Sequence, residues 1–90
     1  MANGTSKVQD AQTKMTSFTG SIEEARETVQ EWIEHLEAEK ERLLAMMDGS
    51  HQNDVAALIA VIDHMLEELR KGDELLAELA DKGAEVEARL

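Results

Sequence analysis

The chain has no cysteine, no proline and no tyrosine, and only one tryptophan and one phenylalanine in 90 residues. Without cysteine there is no disulfide framework, no thiolate metal site and no cysteine nucleophile. Without proline nothing forces a helix to end. Cations are scarce: nine lysines and arginines stand against 20 aspartates and glutamates, a formal net charge of −11. Nucleic-acid binding needs a basic face that displaces counterions. Here Arg26, Lys40, Arg42, Arg70, Lys71, Lys82 and Arg89 are scattered among more numerous acids. That balance argues against nucleic acid and against an anionic membrane surface as partners. No apolar run approaches the ~20 residues of a membrane-spanning helix. The opening stretch, MANGTSKVQDAQTKMTSFTG, lacks the apolar core of a cleaved signal peptide. The expected location is therefore cytoplasmic, or secreted without such a peptide.

What the chain does have is Leu, Ile, Val, Ala and Met at seven-residue spacing. Ile22, Val29, Leu36 and Leu43 form one line, and Val8 and Met15 extend it backwards. Ala25, Trp32 and Met46 form a second line three residues on, extended by Ala11 and Phe18 and broken by Glu39. Such a repeat puts an apolar seam along a helix. Ser21 and Glu24 have the spacing of a capping box. Residues 1–20 have the composition of a flexible tail, yet their four apolar residues stay in register. The register predicts a helix from about residue 6, capped by Thr5 or Ser6.

Asp48-Gly49-Ser50 interrupts the pattern, and glycine just past a helix is the usual stop. A turn over 48–51 follows, with Ser50, Asn53 or Asp54 able to cap the next helix. Val55, Ile62, Leu69, Leu76 and Leu90 then repeat in sevens, with Gly83 in the missing slot. Leu58, Met65, Leu79 and Val86 follow three residues behind, with Gly72 in line. The expectation is a single all-α domain over 1–90: an antiparallel two-helix hairpin with arms of about 6–47 and 52–89, unbroken at Gly72. Facing residues should have numbers summing to roughly 99, within a turn, which sets Phe18 near Gly83, Ala25 near Gly72 and Leu76, and Trp32 near Leu66 and Leu69.

A further apolar stripe comprises Ile33, Leu44, Met47, Ile59, Val61, Leu66 and Leu75. On this reading a lone hairpin leaves these seven exposed, and exposed apolar surface of that extent marks an interface. Pairing of two hairpins into a four-helix bundle, or capture of a partner helix, would cover it. The flanks turn polar away from the turn, so the contact is expected in the turn-proximal half.

Groups for catalysis are missing. The glycines are isolated, at 4, 20, 49, 72 and 83, so there is no phosphate loop. Asp48, Ser50 and His51 lie too close along the chain to converge on one reacting atom. No enzyme activity and no cofactor are expected. The metal candidates are Glu31 and His35, one turn apart, with His64 and Glu67 or Glu68 opposite. Helical Glu-x-x-His pairs build carboxylate metal sites in four-helix bundles, but Glu31-x-x-x-His35 and His64-x-x-Glu67 run in a different order. The leading expectation is thus a non-enzymatic interaction or assembly protein. The alternative is an acidic metal-binding or storage bundle using Glu31, His35, His64 and Glu68.

Cysteine-free, about 90 residues long and patterned as a helical hairpin with Asp48-Gly49-Ser50 at its turn, the chain resembles the small ESX-type, WXG100-like secreted proteins of Gram-positive bacteria. That resemblance implies a helical hairpin that pairs as a dimer. The family's Trp-x-Gly turn is absent, since the one tryptophan lies in Trp32-Ile33-Glu34, and no tyrosine exists for its C-terminal export signal. The resemblance therefore assigns no functional residue.

Overall fold

The structure, a computed structural model, describes the backbone of residues 2–47 and 52–90 and the side chains of 7–47 and 52–90. Two long helices pack against each other: α1, Ala2–Ala45, and α2, Gln52–Arg89. No strand occurs among the described residues. The predicted turn over 48–51 and its caps lie outside them. Alanine, leucine, glutamate, glutamine, lysine and arginine fill both helices, and these are the strongest helix formers. Helix α1 ends by tightening: Met46 N–H donates to the Leu43 carbonyl at 3.0 Å, and Met47 N–H to that of Leu44 at 3.2 Å. These shorter bonds satisfy carbonyls that the end of an α-helix leaves free.

Several local expectations are corrected. Helix α1 starts at Ala2, so Thr5 and Ser6 lie inside it rather than capping it. Ser21 and Glu24 sit mid-helix. A capping box needs backbone N–H groups without helical partners, and none are left there. Helix α2 runs unbroken through Gly72, and no described glycine has a positive φ.

The chain divides into two compact units, one of residues 1–27 with 74–90 and one of 28–73. In the second unit, buried or half-buried positions step by four and three along each helix. On α1 and just past its end they include Val29, Ile33, Leu36, Lys40, Leu43 and Met47; on α2, Val55, Ile59, Ile62, Leu66 and Leu69. Ile33 at 6% exposure, Val55 at 4% and Leu66 at 3% form its core. The helices run antiparallel there, since Gln30 meets Asp73 while Lys40 meets Asp63. In the other unit Gly83 is buried. A Cβ there would lie 3.2 Å from Phe18 Cε2, so the expected Phe18–Gly83 pairing is made. Thr16 crosses to Glu87 in the same unit, Oγ1 to Oε1 at 2.9 Å.

The line that accompanies Val29, Leu36 and Leu43 is not the one expected. Trp32 and Met46 are 54% and 61% exposed, and Leu58 and Met65 are exposed as well. The residues one further on, Ile33, Met47, Ile59 and Leu66, take the inner positions instead. At about 100° per residue, position i+3 lies roughly 60° to one side of i and i+4 roughly 40° to the other. Polar bonds hold the second unit on the i+4 side. Lys40 Nζ reaches Asp63 Oδ1 at 2.6 Å, its stem covering the seam while its ammonium meets water. Arg70 Nη2 donates to Glu37 Oε1 at 2.8 Å, and Gln30 Nε2 to Asp73 Oδ2 at 3.0 Å. Each bridge reaches solvent and is worth about 0–1 kcal/mol. Replacing Lys40 by methionine is expected to shift stability by less than about 1 kcal/mol, as measured by urea unfolding, because the buried stem is kept.

Candidate interaction face

The two sides of the second unit differ in chemistry. One carries the three polar crossings. The other carries Trp32 on α1, Met46 just past its end, and Leu58, Val61 and Met65 on α2, each between 44% and 61% exposed, with the half-buried Glu39 in line with Trp32 and Met46. Trp32, Met46, Leu58 and Met65 all stand three residues after an inner position, and Val61 precedes Met65 by one turn. In an antiparallel helix pair, equivalent positions fall on the same side, because the two-fold relating the helices runs perpendicular to their common plane. These five side chains therefore share one face. Such a cluster exceeds the scattered apolar residues of an ordinary surface.

The seven residues expected to be exposed divide. Ile33 and Leu66 are buried and Met47 and Ile59 half-buried, all four within the helix pair, so a hairpin does not leave them open. Leu44, Val61 and Leu75 are exposed, at 47%, 59% and 65%. Val61 belongs to the apolar face. Leu44 stands one residue after Leu43, on the side of the polar crossings. Leu75 lies in the other unit, where Phe18, Leu79 and Val86 are also exposed. Apolar exposure is thus not confined to the turn-proximal half as expected. Met15, Phe18, Leu79, Lys82, Gly83 and Val86 line a shallow depression in that unit.

Trp32 and Met46 were missed as face residues because the sequence has doublets: Trp32-Ile33, Met46-Met47, Leu58-Ile59 and Met65-Leu66. Either member could point inward. The signal that decides is polar. In the gap between the doublets of α1, Glu39 belongs to one line and Lys40 to the other. Only Lys40 is long enough to cover a seam and still reach a carboxylate across it.

The metal candidates do not assemble. Among the described residues no group of three or more His, Asp or Glu side chains could hold an ion. Glu31 and His35 border an open depression with Trp32, and the His35 ring meets Trp32 edge-on at 6.1 Å and 82°. His64 is exposed. Glu67 and Glu68 lie 3.4 and 3.6 Å from Lys71 Nζ. The hydrogen bond to Glu67, then the charges of Glu67 and Glu68, raise the Lys71 ammonium above its ordinary 10.5. A lysine raised in the folded state adds stability below its unfolded pKa and loses it as pH climbs through the folded value. The effect is therefore fully present at neutral pH and fades only above about 10.5. Melting curves of wild type and Lys71→Met, compared at pH 7 and at high alkaline pH, should converge at the alkaline end.

No helix among the described residues is long and apolar enough to cross a membrane. Compared with known protein families, curated proteins and solved structures, the chain matches none.

Proposed function

We propose that this chain is a non-enzymatic helical interaction and assembly protein, acting as one half of a coiled-coil bundle whose other helices cover the open face. The observation that carries the reading is the exposure of Trp32, Met46, Leu58, Val61 and Met65 together on one side of the second unit. Burying a large apolar side chain is worth roughly 1.5–3 kcal/mol. Each of these five is already about half covered, so further burial recovers about 1 kcal/mol apiece. A partner offering a similar set doubles that to about 10 kcal/mol, within the roughly 4–15 kcal/mol that association costs. The balance fits reversible assembly.

The test replaces Trp32, Leu58 and Met65 together with glutamine and follows both forms in extract of the native host by size fractionation and crosslinking. Wild type is expected in a particle larger than one chain, with itself or with another protein, and the triple variant as a free chain. A free wild-type chain, or a variant that still assembles, overturns the reading.

A further inference from the structure

We infer that Met46 and Met65 form a methionine-oxidation site on the apolar face of the second unit, through which a peroxide makes that face polar while the hairpin stays folded. Neither the site nor its chemistry depends on what covers the face. Only the effect on assembly, stated last, rests on the interaction reading above.

The chain has no cysteine, so no thiol competes for an oxidant and its methionines carry all its sulfur. Four of the five methionines lie among the residues with described side chains, and they divide by burial. Met46 is 61% exposed and Met65 44%. Met47 is half-buried within the helix pair. Met15 is half-buried in the other unit, its Cε 3.8 Å from where a Cβ on Gly83 would stand. The doublet Met46-Met47 therefore sets one thioether side chain toward water and the next toward the seam. Met65-Leu66 repeats the division on α2, with leucine, which has no sulfur to oxidise, on the inner side at 3% exposure.

A thioether sulfur attacks a peroxide oxygen with its lone pair. The S–O bond forms, the O–O bond breaks, sulfur gives up two electrons, and the second peroxide oxygen leaves as water. The sulfoxide is polar, and methionine sulfoxide reductases return it to the thioether, one enzyme for each epimer. Where it forms decides what it does. At Met47 or Met15 it would carry a polar oxygen into apolar packing, which costs free energy unless a hydrogen bond compensates. At Met46 and Met65 the oxygen meets water, and the core of Ile33, Val55 and Leu66 is untouched. Two of the five apolar side chains of the face, one on each arm of the hairpin, then become polar. Oxidation thus acts on the face and spares the seam.

The test treats the purified wild-type chain with hydrogen peroxide and locates the added oxygens by peptide mass spectrometry. Met46 and Met65 are expected to oxidise several-fold faster than Met47 and Met15. With one oxygen on each, helix content by circular dichroism should be kept, while retention on a hydrophobic-interaction column falls. The two reductases together should restore it. A double variant, Met46→Leu with Met65→Leu, keeps the face apolar at similar volume, and its retention should not change under the same treatment. Three results each overturn the inference: Met47 or Met15 oxidised first, helix lost once Met46 and Met65 alone carry oxygen, or a double variant whose retention falls as far as that of wild type. In host extract, the oxidised wild type should assemble at least tenfold more weakly than the untreated chain, about 1.4 kcal/mol. An oxidised chain that assembles equally well overturns the effect on assembly. An untreated chain found free overturns the interaction reading instead, and the oxidation map and retention shift still decide the site.

Discussion

Leu66→Ala is expected to be the most damaging single truncation in the chain, lowering the thermal midpoint by roughly 8–20 °C. Leu66 is 3% exposed, the most enclosed of the three core residues of the second unit. A buried Leu→Ala change costs about 2–5 kcal/mol, from lost transfer energy and from the cavity left behind. The low end applies here, since a helix pair this thin can close partly over the gap. Even so, about 2–3 kcal/mol is a large share of the 5–15 kcal/mol that holds a small domain. The neighbouring Met65→Ala supplies the contrast. Met65 is 44% exposed, so its loss should cost the chain less than about 1 kcal/mol while weakening the assembly proposed above. Melting curves by circular dichroism, taken at one protein concentration because any assembly would shift the midpoint, separate the two. Equal midpoints for Leu66→Ala and Met65→Ala would place the inner side of α2 wrongly.

That contrast between adjacent residues shows how far the sequence could be read. Two antiparallel helices followed from the missing proline, the seven-residue lines and the break at Asp48-Gly49-Ser50. Those signals are local, and they survive any choice of which side faces inward. The line Val29, Leu36, Leu43 was legible because it is apolar at every step and has no rival. Its companion was not, because in the doublets both members are apolar and differ in angle by about 100°. The decision rests on Lys40 reaching Asp63 and Arg70 reaching Glu37, contacts between residues 23 and 33 positions apart. Such contacts leave no periodic trace. The same rotation exchanges the candidate interface: Ile33 and Leu66 turn inward, and Trp32, Met46, Leu58 and Met65 turn outward. The Ser21–Glu24 pattern failed for a different reason. Its motif describes how a helix starts, and the packing of Phe18 against Gly83 carries α1 well beyond that point.

The glycines give the second large effect, and the sign differs among them. Gly20→Ala and Gly72→Ala together should stabilise the chain by about 2 kcal/mol. Glycine inside a helix costs about 0.8–1.0 kcal/mol relative to alanine, mainly because the unfolded chain loses more freedom. That cost is justified only where a side chain would collide. At Gly20 and Gly72 a Cβ meets nothing within 4 Å, and neither has a positive φ that alanine would resist. Gly83 differs. A Cβ there would approach Phe18 Cε2 at 3.2 Å and Cδ2 at 3.4 Å, with Met15 Cε at 3.8 Å. The Phe18 ring, 37% exposed, can yield a few tenths of an ångström outward. Gly83→Ala should therefore fall well short of the gain at Gly72. Gly83→Leu must displace the ring altogether, and overpacking of that kind costs typically 1–3 kcal/mol. Urea unfolding of the four variants should rank them, from most to least stable, as the Gly20/Gly72 double, Gly72→Ala, Gly83→Ala and Gly83→Leu, with wild type above the last. A Gly83→Ala variant as stable as Gly72→Ala would show that the contact with Phe18 exerts no constraint on α2.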